Sequence, residues 1–495
     1  MNRLAEMCLA ALSGDPAQPV IEFRKRWVTR AQIRHVAGRV ASLIEAGAPG
    51  QQGKIAFVAR NRPCDLAAFL GMLSLGCRIR MVYPFQSAQA MASEIERIGP
   101  AVLVAADEDY GEPMFGVLAR KGIAAIALGE MDAVSCRGFE HSRGTDDVPR
   151  PPEIEILTSG TTGPPKSFAL GYDTIARHLV SPAIGPGGQG GNDAQAAPAL
   201  LYFPVSNISG LYSTLPPLLK GQPVVLLERF TVAGWHDHLL RFRPTLGGLP
   251  PAGIQMVLDA GIPAGDLACL RAIGTGAAPL DPAVQRLFEE RYGVPILLSY
   301  GATEFGGPVT RMTPELHAAW GGQKPGSVGR ALPGVKLRIV DADTGSELPP
   351  GQEGILEVVS PRIGPDWIRT SDIAMVDEDG FLFHRGRTDG AIMRGGFKLL
   401  PHVIERALLQ HPALAATAVV GIADRRLGQV PAAALEFKQG VEPPCVADMA
   451  AHLRNLLPAT HIPAAWRVVD AIPRTPSMKA DMPAVRRLFE EHPFT

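Results

Sequence analysis

Residues 156–170 read ILTSGTTGPPKSFAL. Ser, Thr, Gly, Pro and one Lys crowd a short stretch between two apolar runs. The phosphate loop of nucleotide triphosphatases needs G-x-x-x-x-G-K-[ST]. Here the fifth residue after Gly160 is Pro165, followed by Lys166 and Ser167. Proline has no N–H to offer a phosphate, and its φ is fixed, so the Walker reading fails. Other means of holding phosphate remain. Thr158, Ser159, Thr161 and Thr162 bring hydroxyl donors, and Lys166 adds a mobile positive charge. Gly160 and Gly163 let the backbone curl so that successive N–H groups point inward. A solvent-exposed turn is the plain alternative. The density of donors straight after the strand-like EIEIL favours an anion loop.

Composition narrows the setting. At roughly 150 residues per domain, 495 residues imply two to four folding units. Apolar residues make up 46% and charged residues 20%, as in a soluble globular enzyme with a large core. A net charge of -1 argues against a nucleic-acid partner or a polybasic membrane surface. Cys8, Cys64, Cys77, Cys136, Cys269 and Cys445 are scattered, with no CxxC pair. Reduced thiols in a cytoplasmic protein are expected, rather than disulfides or a zinc site. The N-terminus lacks the apolar core of a signal peptide. No run reaches the ~18 apolar residues of a membrane span. The most apolar long segment, residues 200–227, reads as core strands and turns because of its prolines, Asn207 and Lys220.

Along the chain, helical and strand patterns alternate. TRAQIRHVAGRVASLIEAG sets Ile33, Val36, Val40, Leu43 and Ile44 on one helical face and stops at a glycine. KIAFVA and AVLVAA read as buried strands, and DLAAFLGMLSLG as a helix between them. Such alternation implies a parallel, wound sheet. From about residue 325 the texture turns to short alternating strands and turns, a small β-rich subdomain reaching about 385. Past FLFHRGRTDG, the segments PHVIERALLQHP, ATAVVGIA, AAALEF and VADMAAHLRNLL read as a compact α+β unit. The expected fold is therefore α/β: a large N-terminal domain of wound sheets over 1–387, carrying the β-rich subdomain, and a small mobile α+β C-terminal domain over 388–495.

LTSGTTGPPK resembles the signature loop of the adenylate-forming superfamily: acyl- and aryl-CoA synthetases, adenylation domains and luciferases. Further motifs follow in the family's order. GTGAAPL (274–280) is similar to its adenine-pocket segment, and SYGATE (299–304) to its Y-G-x-T-E. TSD (370–372) resembles T-G-D, GRTDGAIMRGGFKLLPHVIE (386–405) the hinge segment, and PRTPSMK (473–479) the C-terminal P-x-T-x-x-G-K. The matches run from Thr158 to Lys479 and so span most of the chain.

The resemblance implies an ATP-dependent carboxylic acid:CoA ligase, AMP-forming, using ATP, Mg²⁺ and coenzyme A. A carboxylate attacks the α-phosphorus of ATP, giving an acyl-adenylate and pyrophosphate. Two anions must meet, so charge has to be neutralised where the transition state builds it. It assigns Lys479 to that place as the bridging cation. Glu304 would hold Mg²⁺, with Thr303 beside it on the α-phosphate. Magnesium takes one or two carboxylates plus phosphate oxygens, so one Glu suffices. Tyr300 would stack on adenine, and Gly276, Ala277 and Ala278 would let the purine lie against backbone. Asp372 would accept from the ribose hydroxyls, and Arg387 would donate to the sugar or phosphate. In the second half-reaction the C-terminal domain rotates about hinge Asp389. Gly395 and Gly396 would then let a pantetheine approach, with Lys398 or Arg394 on a CoA phosphate. Asn207, Ile208, Gly274–Ala277, Ala302 and Phe305 would line the acyl pocket.

This sequence departs from the family at several points. Asn207 stands where many members carry His, Ser371 where they carry Gly, and Met478 where a Gly precedes the lysine. Val403 replaces a frequent Glu. The run before TSD is short. These differences imply a divergent branch with an unusual acyl substrate, a fatty, alicyclic or aromatic acid rather than an amino acid. Two other readings stay open. One is a stand-alone adenylating enzyme that loads a carrier protein in trans, or an amine. The other is a non-catalytic nucleotide sensor; Glu304, Asp372 and Lys479 argue against it.

Overall fold

A computed structural model describes residues 2–48, 53–142, 150–158, 166–180, 197–277, 280, 282–342, 344–387, 390–438, 440–473 and 482–490. The chain divides into two compact units. The first comprises Met1–Pro84, Met91–Thr158 and Lys166–Pro244. The second comprises Phe85–Ala90, Ser159–Pro165 and Thr245–Thr495.

The first unit is built on a wound sheet. Among the described residues its strands run in the order Ala133–Ser135, Ala124–Leu128, Val102–Ala106, Ile55–Val58, Ile79–Val82, Glu153–Thr158, Lys166–Gly171. The inner pairings are parallel and the two outermost antiparallel. Strands buried on both faces read as continuous apolar runs, which is how IAFV and VLVAA look. Helix Arg30–Gly47 starts where Thr29 accepts from the Gln32 N–H and Gln32 returns a bond to Thr29, a capping box. Its Ile33, Val36, Ala37, Val40 and Ile44 are buried. It packs against helix Pro63–Leu75, which is apolar almost all round and accordingly buried from Pro63 to Leu73. A second sheet joins Ala199–Leu201, Val224–Leu226, Pro19–Phe23 and Arg26–Thr29.

One expectation is corrected here. Residues 200–227 are not strands and turns throughout, because Ile208–Lys220 is a helix despite Pro216 and Pro217 within it. Asn207 caps its start, Gly221 ends it at φ +77, and Leu211, Leu215 and Leu218 face the core. A side-chain cap and the buried leucines outweigh two missing N–H donors.

The second unit holds a sheet of Leu246–Gly248, Ala272–Thr275, Ile296–Ala302, Gly307–Arg311 and Arg330–Ala331. An antiparallel sheet of Lys336–Val340, Glu353–Val359, Ile368–Val376 and Leu382–Arg387 follows. Its core is Phe305, Val309, Ile339, Leu356, Val358, Ala374 and Leu382. A last sheet pairs Leu414–Asp424 with Gly428–Phe437, flanked by Ile392–Arg394, Phe397–Leu399 and Ala465–Val468. Helices Pro401–Leu408 and Val446–Arg454 cover it. The fold is α/β, with a large N-terminal and a small C-terminal domain.

Candidate functional site

Adjacent elements of the second unit converge on Asp372. Strand Ile368–Val376 carries it, strand Ile296–Ala302 carries Tyr300, and strand Leu382–Arg387 carries His384. Thr370 shapes the approach: its hydroxyl donates to the Leu356 carbonyl at 2.8 Å and accepts from the Asp372 N–H at 2.9 Å. The Asp372 side chain is 7% exposed. Tyr300 donates its hydroxyl to Asp372 Oδ2 at 2.5 Å. His384 Nε2 lies 3.3 Å from Oδ1, and its ring stacks on Tyr300 with centroids 5.8 Å apart. A carboxylate oxygen can only accept here, so both neighbours act on it as donors and hold its orientation. Sequence reasoning missed His384, although it lay inside the quoted FLFHRGRTDG. An imidazole directly after the apolar run Phe381, Leu382 and Phe383 was the signal.

Just past Tyr300, the short turn Thr303–Phe305 carries Thr303 and Glu304. The Phe305 carbonyl accepts from Ser360 Oγ at 2.7 Å and Arg362 Nε at 3.2 Å, which pins the turn. Glu304 is exposed. Phe305 is 2% exposed among Val309, Leu356, Val358 and Leu382, so it is a core residue rather than the pocket wall expected of it. Ala302 packs partly against the same core.

The segment expected to border adenine follows strand Ala272–Thr275. Gly274 is exposed, and a Cβ there would meet only the Gly247 carbonyl at 3.9 Å. A Cβ on Gly276 would fall 2.5 Å from Ser299 Oγ, so the neighbouring strand already demands glycine there. Ala277 has φ +68, a left-handed torsion uncommon for alanine. The hairpin of Ile392–Arg394 and Phe397–Leu399 lies beside it: a Cβ on Gly396 would sit 3.8 Å from the Ala277 carbonyl. Lys398 stands opposite Met393 in that hairpin and is half-buried. Arg394 is an internal anchor instead of a surface cation, donating from Nη1 to the carbonyls of Thr460 and Ile462. Burial, and then nearby Arg394, push His461 down to about 4.

In the first unit, strands Glu153–Thr158 and Lys166–Gly171 pair with Thr158 opposite Lys166. Buried Glu155 secures the base of this hairpin. Its Oε2 accepts from Arg80 Nη1 at 3.2 Å and Ser167 Oγ at 3.1 Å, and its Oε1 faces Lys54 Nζ at 3.0 Å. Burial pulls Arg80 below its ordinary pKa, and Glu155 works against that. An unpaired charge in such a place is costly, so each member of the cluster depends on its partners. Ser159, Gly160, Thr161, Thr162, Gly163, Ala278, Asp389 and Lys479 lie outside the described residues, as do the side chains of Thr158, Lys166 and Arg387.

Asn207 is a helix cap: its Oδ1 accepts from the Gly210 N–H at 2.7 Å, and Ile208 opens the helix. The loop before it is tied by buried Asn61, whose Nδ2 donates to the carbonyls of Phe203 at 3.1 Å and Leu227 at 3.3 Å. Among the described residues no three His, Cys, Asp or Glu side chains gather as a metal site. A lone exposed Glu304 fits a magnesium ion that arrives on nucleotide phosphates and keeps most of its own waters.

A wound α/β domain and a small sheet-and-helix domain, with a glycine hairpin set against Ala277, agree with the adenylate-forming class. The chain belongs to the AMP-binding enzyme family: that family's model matches residues 10–365, and the model of its C-terminal domain matches residues 403–479. It is similar to the indoleacetate–CoA ligase of Aromatoleum aromaticum, 30% identical over 97% of both chains. It is also similar to a fatty acid–[acyl-carrier-protein] ligase of Streptomyces coeruleorubidus, 27% identical over 94% of this chain and 92% of that one. Among solved structures, the amide bond synthetase McbA of Marinactinospora thermotolerans matches with a TM-score of 0.81 and 27% identity, covering 98% of this chain and 99% of that one.

Proposed function

We propose that the chain is an ATP-dependent carboxylic acid:CoA ligase that makes an acyl-adenylate, releases pyrophosphate and then forms an acyl-CoA thioester. The observation that carries this reading is the buried Asp372 carboxylate, held between Tyr300 and His384. A fixed carboxylate acceptor suits the vicinal hydroxyls of a ribose.

The roles follow from charge and position. Asp372 and Tyr300 hold the nucleoside, and Ala277 with Gly276 forms the edge against which adenine lies. The hydroxyl and glycine loop 158–163, with Lys166, cradles the β- and γ-phosphates. Mg²⁺, when bound, neutralises phosphate charge, and Glu304 beside Thr303 is its protein ligand. Lys479 bridges the incoming carboxylate and the α-phosphate. An oxygen–phosphorus bond forms to the acid as the bond to pyrophosphate breaks. The C-terminal domain, from residue 388, then turns about Asp389, and the Gly395–Gly396 hairpin admits a thiol. The thiolate attacks the adenylate carbonyl, and AMP leaves. The closeness of Gly396 to Ala277 supports this second arrangement.

The residues assigned to the acyl pocket, among them Gly274, Asn207 and Ile208, include no charged anchor, which favours a fatty, alicyclic or aromatic acid. The free cysteines favour a reducing compartment, the cytoplasm. No described helix is long and apolar enough to cross a membrane. A second reading, transfer to a carrier protein or an amine, is favoured by the likeness to a carrier-protein ligase and an amide bond synthetase. A panel of carboxylates with ATP, with and without CoA, tests both. Pyrophosphate release followed by a CoA thioester supports the first. Pyrophosphate release with no thioester in the presence of CoA sinks it in favour of the second.

A further inference from the structure

His384 is half-buried on the end strand of its sheet. It sits at the rim of the antiparallel sheet, opposite Ala374, between Phe383 and Arg385. Its side chain is 17% exposed, with Nε2 on Asp372 Oδ1 and its ring stacked on Tyr300. Tyr300 holds the other oxygen, Oδ2. The carboxylate is thus gripped on both oxygens by two residues that also grip each other. An aspartate held at one oxygen turns easily about its last torsion, whereas one held at both keeps its plane. A pair of vicinal hydroxyls needs that plane fixed, because both must reach the carboxylate at once.

We propose that His384 is a positioning residue for nucleotide recognition: it fixes the Asp372 carboxylate so that both ribose hydroxyls are read, and thereby sets the preference for ribonucleotides over deoxynucleotides. The proposal rests on Asp372 being the ribose ligand. A site built around a substrate hydroxyl rejects the analogue that lacks it, since a buried polar group is then left unpaired. Loosening the carboxylate should erode that rejection before it erodes anything else.

Two substitutions separate the donor from the ring. His384→Phe keeps an aromatic face for Tyr300 and removes the donor. His384→Gln places an amide nitrogen near the Nε2 position and removes the ring. The full-length protein is titrated calorimetrically with AMP, 2′-deoxyAMP and 3′-deoxyAMP, alongside Asp372→Ala. The wild type is expected to favour AMP by about tenfold or more over each deoxynucleotide, on the scale of a lost charged hydrogen bond. His384→Phe should lose about tenfold in AMP affinity and most of this preference, while His384→Gln returns to within about threefold of wild type. Equal loss for all three nucleotides in His384→Phe, or no rescue by Gln, would mean that the ring merely supports the pocket and would overturn the proposal. Full preference in His384→Phe, with the preference lost in Asp372→Ala, overturns the role of His384 alone. Full preference in Asp372→Ala overturns the ribose reading and His384 with it.

Discussion

Ala277 holds a torsion that suits glycine, with φ +68. Such a torsion costs a residue with a Cβ roughly 1 kcal/mol or more, and it persists only where its surroundings demand it. Ala277→Gly relieves the strain but loosens the unfolded chain by a similar amount, about 1 kcal/mol, so the two effects offset. Its denaturation midpoint should stay near wild type. Ala277→Val puts a β-branched side chain where one is rarely tolerated, and should destabilise by at least about 1 kcal/mol and weaken AMP binding. A Val variant as stable and as tight as wild type would show that the segment relaxes freely. Asp65 poses a different residue-scale question. It is fully buried, accepting from the Arg60 N–H at 2.8 Å and from Cys64 Sγ at 3.2 Å. Burial pushes its pKa from the ordinary 3.8 up to about 7, against the pull of the Arg60 N–H and the nearby guanidinium groups. The folded pKa is raised, so the native state favours the neutral acid. The contribution to stability is complete below about pH 4 and is lost as pH rises through about 7. Asp65→Asn cannot ionise, so it should gain on wild type between pH 5 and pH 8, at about 1.4 kcal/mol for each tenfold difference in proton affinity between the folded and unfolded chains. Urea unfolding at the two pH values checks this, and an unchanged difference between the proteins would refute it.

At the scale of elements, the helix Ile208–Lys220 turns on its first residue's neighbour. Asn207→Ala removes the acceptor for the Gly210 N–H and should cost about 1 kcal/mol, whereas Asn207→Ser, another good cap, should keep most of it. Thermal melts of the two variants test the cap. An acid-dependent change in KM for Asn207→Ser, with the melt unchanged, would add a pocket role. This helix also marks where reading the sequence stopped. Arg30–Gly47 was legible because its apolar residues keep one period and the run ends at a glycine. Ile208–Lys220 was not, because two adjacent prolines resemble a break and the competing stripe of Leu211, Leu215 and Leu218 spans barely two turns. The buried strands of the wound sheet were legible for the opposite reason: both faces are covered, so polar residues are kept out of IAFV and VLVAA.

For the whole molecule, the order of motifs from Thr158 to Lys479 was legible, and with it the family. The grip on Asp372 was not. Tyr300 and Asp372 are 72 residues apart, and only the packing of two sheets brings their side chains together. No local spacing records such a meeting. Likewise, Arg394 looked like a cation for CoA, and only its contacts with the Thr460 and Ile462 carbonyls reveal an anchor. The two half-reactions supply the sharpest test at this scale, because they ask different things of one chain. If Lys479 neutralises charge between carboxylate and α-phosphate, its loss strikes the first half-reaction alone. Lys479→Ala should lower pyrophosphate release on a good carboxylate by on the order of 10²–10³-fold, the range typical of removing one group that stabilises a transition-state charge. Thioester formation from supplied acyl-adenylate needs no attack on phosphorus and should survive. Stopped assays of each half-reaction on the same protein preparation read this directly. If both fall together, the variant is damaged more broadly or Lys479 serves both states. If neither falls, the bridging cation lies elsewhere in the chain.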